Sequence, residues 1–478
     1  MSELPKGWAL STIGQACLIE NGLRKPISLK ERAACQGDFP YYGATGVIDH
    51  LNSYTHEGEY VLIGEDGANL LSKSKPLAFI ANGQYWVNNH AHTLKCLAGS
   101  PNEYLERYFN SLSLEPWVTG SAQPKLTKKN LESIPFPLAP LPEQKRIVEK
   151  LDEVLAQVDV IKARLDGIPI LLKRFRQSVL SSAVSGKLTE EWRNGNSANT
   201  TETLHSLEEH KVCLIAQKEI KKDLDFEVSK NLFETPSDWS FVRLKSLAWK
   251  ITDGEHKTPK REESGRFLLS ARNVRDGYLS LDKVDYVGEE EYQKLRKRCD
   301  PNKGDVLVSC SGSVGRISLV DADDQYVMVR SAALVKVLDD YIVNRFLMYV
   351  LQSPYLQKRI EESSKSTAQS NLFLGPIKEL EIPLPVLSEQ KEIVRLVDQY
   401  FAFANHIEAQ VKKAQAKVDN LTQSILTKAF RGELVPQNPN DESADKLLER
   451  IAKAREEAEA LAKAAKKVQA AKKRAAKA

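Results

Sequence analysis

None of the six cysteines, Cys17, Cys35, Cys96, Cys213, Cys299 and Cys310, stands in a Cys-x-x-Cys pair. That spacing argues against a zinc site or a disulfide framework and leaves reduced thiols in or near the core. No run of about 18 apolar residues occurs, so no membrane span and no membrane partner are expected. The opening residues Leu4-Pro5 follow no basic and apolar leader, and a cytoplasmic location is the expectation. Large charge imbalance is missing too. Lys and Arg number 68 against 64 Asp and Glu, a net charge of +4. A chain that coats nucleic acid indiscriminately would be more basic, so any DNA contact must come from basic residues placed locally.

The signs of an engine are also absent. There is no Gly-x-x-x-x-Gly-Lys-[Ser/Thr] loop, and Ser311-Gly312-Ser313-Val314-Gly315-Arg316 has neither its spacing nor its lysine. No His-Glu-x-x-His occurs. His90 and His92 are the one close histidine pair; on a strand they would point the same way, and no carboxylate partner is evident in sequence. Glu65-Asp66 reads as a tight acidic turn rather than a catalytic or metal-binding pair. The Asn/Asp-Pro-Pro-aromatic signature of amino-methyltransferases is missing, and Asn438-Pro439-Asn440-Asp441 resembles it only superficially.

What is present is a long internal repeat. Pro140-Leu141-Pro142-Glu143-Gln144-Lys145-Arg146-Ile147-Val148 returns as Val386-Leu387-Ser388-Glu389-Gln390-Lys391-Glu392-Ile393-Val394, a shift of 246 positions. The same shift takes Gln177-Ser178-Val179-Leu180 to Gln423-Ser424-Ile425-Leu426, Gly186 to Gly432, Gly58 to Gly304 and Ala122-Gln123 to Ala368-Gln369. Pro5 and Trp8 match Pro236 and Trp239 at a different offset, 231. Each half therefore has a variable first part and a preserved second part.

The preserved part reads as a long helix following a proline-rich stop, Ile134-Pro135-Phe136-Pro137 or Ile382-Pro383-Leu384-Pro385, that ends the domain before it. Alternating steps of three and four select Ile147, Leu151, Val154, Val158, Ile161, Leu165, Ile168, Leu172, Phe175 and Val179. In the second copy they select Ile393, Val397, Tyr400, Ala404, Ile407, Val411, Ala414, Val418, Leu421 and Ile425. This is the coiled-coil period. The economical arrangement pairs the two helices antiparallel within one molecule, about a pseudo-two-fold axis, as a rod of about 60 Å that spaces the variable domains. Gly167-Ile168-Pro169 is expected to interrupt and kink the first helix.

The fold class is α+β: two small α/β domains with mostly β cores, separated by two long helices. Residues 1–140 and 232–386 form the domains, 141–186 and 387–432 the spacer helices. Residues 187–231 form a linker with a helical run near Thr203–Lys222, and 433–478 a helical tail that turns basic from Lys463 onward. Helices are expected late in each domain, around Tyr104–Leu112 and Tyr341–Leu351. Basic, amide and hydroxyl groups gather at turns: Arg24, Lys25, Tyr42, Lys73, Asn89, His90 and Lys125 in the first domain. The second domain has Lys257, Lys260, Arg261, Arg272, Asn273, Arg275, Ser311, Ser313 and Arg316. Arginine and lysine suit guanine edges, asparagine suits adenine, and Ser/Gly loops suit phosphates. These sixteen are the candidate DNA-binding residues; no catalytic and no metal-binding residue is assigned.

Taken together, Leu4-Pro5-Lys6-Gly7-Trp8, the Pro-Leu-Pro-Glu-Gln-Lys start of the first helix and Leu421–Leu434 at the close of the second resemble the specificity subunit of type I restriction-modification enzymes. Gly58–Ala68 and Gly304–Ser318 are similar to segments of its target recognition domains. The resemblance implies that each recognition domain reads one half of a split double-stranded DNA site while the helices set the gap. It implies two modification subunits that methylate adenine with S-adenosylmethionine. It further implies two restriction subunits that use ATP and Mg2+ to translocate and cleave DNA as antiviral defence. The chain itself would bind no cofactor and catalyse nothing. Two other readings stay open: a coiled-coil adaptor without DNA specificity, and a single-chain methyltransferase or nuclease with an unrecognised active site.

Overall fold

A computed structural model of the protein describes residues 4–120, 122–196, 199–364 and 370–475. Two compact units emerge, and neither is a simple half of the chain. One comprises Met1–Asp166 with Lys412–Ala478, the other Gly167–Val411. Each holds one variable domain, the start of the long helix that follows it, and the end of the other long helix.

In the first unit a four-stranded antiparallel sheet runs in the order Cys17–Ile19, Ala91–Cys96, Tyr60–Gly64, Ala78–Ala81. All five residues of Tyr60–Gly64 are buried, as a central strand covered on both faces requires. A second sheet, in the order Gly46–Leu51, Gln36–Gly43, Gln84–Val87, His56–Glu57, contains one parallel pair. The helix Asn102–Ser111 lies near its expected position and buries Tyr104, Leu105, Tyr108 and Phe109.

The second unit has the sheet Ala248–Asp253, Ala332–Val337, Val306–Ser309, Ile317–Leu319, and a three-stranded sheet Asp285–Val287, Arg266–Leu269, Tyr326–Met328. Its late helix spans Asn344–Gln352 and the linker helix Thr201–Ala216.

The proline-rich stops are strands. Pro135–Leu138 pairs antiparallel with Ala9–Thr12, and Glu381–Leu384 with Ser240–Arg243. A two-stranded ribbon has an open edge, and proline is tolerated there because its missing N–H can face outward. The stop thus brings each domain's end back beside its beginning.

The preserved motifs meet at this closure. In the second unit Glu389, with 0% exposure, accepts hydrogen bonds from the Trp239 indole (2.9 Å), the Thr189 hydroxyl (2.7 Å) and the Arg193 guanidinium (2.6 Å). Gln390 donates to the carbonyls of Pro385 and Tyr341, both at 2.9 Å, and accepts from the Val343 amide at 2.8 Å. In the first unit Glu143 and Trp8 are buried side by side without the closed hydrogen bond of their counterparts. Burial pushes the Glu143 carboxyl up, opposed by the Trp8 indole and Arg146. Gln144 donates to the Ala139 carbonyl at 2.9 Å.

The repeated glycines complete each junction. Gly186 (φ +75) and Gly432 (φ +72) end the long helices in the left-handed region. A Cβ there would come within 2.5 Å of Pro236 and 2.4 Å of Pro5, respectively. Each helix therefore ends against the opening Pro-x-Gly-Trp or Pro-x-x-Trp segment of the other repeat.

The long helices span Leu141–Val184 and Leu387–Ala429. Within the first unit Lys162 pairs with Asp419 at 2.8 Å and Gln415 donates to Asp166 at 2.7 Å, an antiparallel register. Within the second, Arg176 reaches Asn405 (2.8 Å) and Glu408 (2.9 Å), and Phe175 packs edge-on against Tyr400 and Phe403. Ile147, Leu151, Val158, Leu172 and Val179 are buried, as are Ile393, Val397, Ala404, Val411 and Ile425. Ile161, Tyr400 and Leu421 are exposed, so the stripe is not buried along its whole length. The expected interruption at Gly167–Pro169 does not occur: helix continues through Pro169. A proline costs one backbone bond, which a 44-residue helix held by packing at both ends tolerates.

An accessory helix docks on each unit. In the first, Ala444–Ala475 buries Ala444, Leu447 and Ile451, and Arg455 donates to the carbonyls of Gln15 and Cys17. In the second, Lys211 on the linker helix is buried and donates to the carbonyls of Lys245 (3.0 Å) and Ala248 (2.8 Å); burial lowers its pKa to about 8. Of the sequence expectations, the repeat at Ala368-Gln369 and the last three residues of the basic tail lie outside the described residues.

Glu389→Ala strips the buried Trp239 indole of its acceptor and leaves Arg193, 14% exposed, without its carboxylate and with the Thr189 hydroxyl as its remaining partner. Removing one partner of a buried charged pair costs about 3–5 kcal/mol. Urea unfolding should show a loss of that size, and a loss under about 1 kcal/mol would mean that the junction does not hold the unit together.

Candidate nucleic-acid interface

In the first unit the candidates divide into tied and free groups. Arg24 is spent internally: it donates to Glu65 at 2.6 Å, to the Ala91 carbonyl at 2.9 Å and to the Asn21 carbonyl at 3.1 Å. Its position just after the short turn Asn21–Leu23 makes it a brace between loops. Tyr42 is half-buried, stacked on Phe79 and edge-on to Tyr85, and burial raises its pKa. Both differ from the sequence expectation, which cannot tell a turn cation from a buried brace. Lys25 is exposed beside the Trp86 ring, Asn89 is exposed, and Lys73 sits exposed at φ 49 after a short helical turn.

Glu65 is the hub of this region. Burial works against its charge, but Arg24, His92 and Lys125 hold its carboxyl below the usual range. Lys125 approaches it at 3.3 Å and His92 at 3.7 Å. His90 bonds Asp66 at 2.8 Å. The histidines do not share a strand face: His90 precedes the strand Ala91–Cys96 and is half exposed, while His92 is buried between Asn21 (2.9 Å) and the Leu126 carbonyl (2.8 Å). The carboxylate partners invisible in sequence are Asp66 and Glu65, brought in by a turn more than twenty residues away.

In the second unit a cavity of about 320 Å³ is lined by Ala271, Arg272, Arg275, Ser311, Gly312, Ser313 and Arg316. Five of the candidates therefore meet, from two loops about forty residues apart in sequence. Arg272 pairs with Asp285 at 2.7 Å, as does Arg261 at 3.0 Å. Lys257 and Lys260 are exposed in the preceding loop. Asn273 is different: it has 0% exposure, accepts from the Ser270 amide (3.0 Å) and donates to the Ser280 carbonyl (3.0 Å). It shapes the loop from inside and presents no amide for reading a base.

A neighbouring cavity of about 640 Å³ shares Ser311 and adds His256, Arg330, Asn371 and Phe373, which the sequence reading did not select. The repeat held a signal for one of them, since the shift of 246 carries Lys125 onto Asn371. Asp253, whose carboxyl is disfavoured by burial but held low by Arg298 and His256, lines the same cavity.

A second kind of cleft is present in each unit, between the late helix of the domain and the two long helices. In the first unit it measures about 730 Å³ and includes Arg107, Asp152, Leu155, Gln423 and Leu426. In the second it measures about 930 Å³ and includes Arg345, Asp398, Phe401, Gln177 and Leu180. The long-helix residues correspond at the shift of 246, Asp152 to Asp398, Leu155 to Phe401, Gln177 to Gln423 and Leu180 to Leu426, and each arginine stands on the late helix of its domain. Arg107 meets Asp152 at 3.1 Å, and Arg345 meets Asp398 at 2.9 Å.

The model of the type I restriction modification DNA specificity domain matches residues 5–169 and 236–416. The EcoBI specificity subunit of Escherichia coli is 38% identical over 337 residues, 68% of this chain and 65% of that protein. The match thus spans slightly less than two thirds of that relative. The EcoDI specificity subunit of Escherichia coli is 29% identical over 484 residues, 94% of this chain and 95% of that protein. A chain from a structure of type I R-M complex assembly and conformational transition shares the fold, with a TM-score of 0.57, 19% identity, and coverage of 91% of this chain and 100% of that one.

The environments of Asn273 and Arg316 predict opposite behaviour. Asn273→Ala should lower the unfolding free energy by about 1–3 kcal/mol, since buried loop groups lose their partners. Arg316→Ala, with no side-chain partner among the described residues, should change it by less than about 0.5 kcal/mol. Equal losses in denaturant titrations would contradict the assignment of Asn273 to the interior.

Proposed function

The chain belongs to the type I restriction-modification DNA specificity family, and from that premise we propose that it is the non-catalytic subunit that selects the DNA site for a methylating and cleaving complex. The observation that carries this reading is the pairing of a preserved frame with dissimilar reading surfaces. The junctions around Trp8–Glu143 and Trp239–Glu389 repeat. The corresponding loops do not: Glu65-Asp66 stands in one domain where the other has Ser311-Gly312. A protein whose frame repeats while its loops differ suits a bipartite site with unlike halves.

Modification subunits would use S-adenosylmethionine to methylate an adenine in each half, and restriction subunits would use ATP and Mg2+; this chain supplies neither site. Two modification subunits are favoured by the corresponding clefts, one per unit, each offering the same Arg–Asp pair and apolar wall. The antiparallel register of the long helices favours their role as the element that sets the gap between halves. A coiled-coil adaptor would not need two unlike basic loop sets.

Two experiments on the assembled complex test this. Replacing residues 232–386 by the corresponding domain of a relative should change one half of the methylated motif and leave the other intact. Inserting seven residues into each long helix, in register, lengthens the pair by about 10 Å. That is about three base pairs of DNA at 3.4 Å each, and the methylated adenines should move apart accordingly. Methylation maps with both halves altered by the exchange, or an unchanged gap after the insertion, would contradict the respective role.

A further inference from the structure

The cavity lined by Arg272, Arg275 and Arg316 has no carboxylate in its wall. The nearby acids leave Arg275 and Arg316 without a carboxylate partner among the described residues. Asp285 pairs with Arg272 and Arg261, and Asp276 accepts from the Ile317 amide at 3.2 Å. Guanidinium groups left unpaired around one concavity repel one another, an arrangement that favours an anion between them.

The loops that carry them are held firmly. Ser309, with 0% exposure, donates its hydroxyl hydrogen to the Ser313 carbonyl (2.6 Å) and accepts from the Arg316 amide (2.8 Å). The Gly315 amide donates back to the Ser309 carbonyl at 2.9 Å. The two loops are tied together by Gly277, whose amide donates to the Ile317 carbonyl at 2.9 Å, and the Ala271 amide donates to the Ser331 hydroxyl at 3.0 Å. The arginines thus stand on a scaffold that needs little reordering to bind.

We propose that this cavity clamps a backbone phosphate of the half-site bound by the second domain, with Arg275 and Arg316 as its cationic jaws and Arg272 beside them. The inference rests on the DNA-selecting role proposed above and adds a division of labour. A guanine edge takes one arginine in a fixed fork, whereas a phosphate accepts from several converging donors at once. Ser311 and Ser313 add hydroxyl donors to the same wall. In the first domain the corresponding turn carries Glu65 and Asp66, so the clamp belongs to one head alone.

The test uses the full-length chain assembled with its modification subunits and duplex DNA, titrated over a range of salt. The double variant R275A/R316A should weaken binding to cognate and scrambled duplexes by the same factor. It should flatten the plot of log affinity against log salt by about 1 per phosphate lost, and leave the methylated motif unchanged. With the unaltered protein, single neutral methylphosphonates placed along the second half-site should reveal a position that weakens binding, and the double variant should be indifferent to that position. Loss confined to cognate DNA with an altered motif would assign the arginines to bases and overturn the clamp. An unchanged salt slope would overturn it too. Should the double variant fail to fold, a scan of the unaltered complex in which no neutralised phosphate matters has the same force. An unaltered complex with no sequence preference at all would instead sink the DNA-selecting role.

Discussion

A carboxylate buried at the start of a long helix is the constraint on which the second unit depends. Glu389 has no access to water and is surrounded by the donors of Trp239, Thr189 and Arg193. Such a group is costly unless each donor stays in place. Its partners come from two separate stretches, the short turns just after the first long helix and the opening of the second domain, and the acid itself stands at the start of the second long helix. One buried acid therefore fixes three chain segments at once. Beside it, Gly186 lets a helix end approach Pro236, which any side chain would push away, and Gly432 does the same against Pro5 in the first unit.

Much of this was legible in the sequence because the constraint is local. A Glu-Gln at a helix start, a Trp after Pro and a Gly after a helix each occupy fixed positions, so the repeat displays them in register. The antiparallel seam was legible for the same reason, since helical periodicity needs no knowledge of the remainder of the fold. Pro169 shows the limit. Local propensity predicts a break, and packing of Leu172 and Val179 beyond it overrides that propensity. The proline stops show it again, because only the partner strand Ala9–Thr12 reveals Pro135–Leu138 as part of a ribbon.

The proposed reading surface was less legible. Charge and turn context select Arg24 and Arg316 alike, yet one is locked to Glu65 and three carbonyls while the other borders an open cavity. The difference lies in what the fold brings opposite each guanidinium, and that partner is distant in sequence. Asn273 and Lys211 make the same point from opposite sides: a candidate for recognition proves to be an internal loop brace, and an unremarked lysine proves to be a buried helix cap. Side-chain identity sets the chemistry available, while burial decides whether it is spent inside or offered outside.

The proposed function requires one polypeptide to carry two unlike reading heads on a repeated frame. Sequencing of methylated adenines in a host without other methylation systems, supplied with this chain and its modification partner, addresses it most directly. The account predicts a single motif in two halves of different sequence, separated by a fixed stretch of unspecified bases, with one modified adenine in each half. A contiguous motif, or two identical halves, would contradict it.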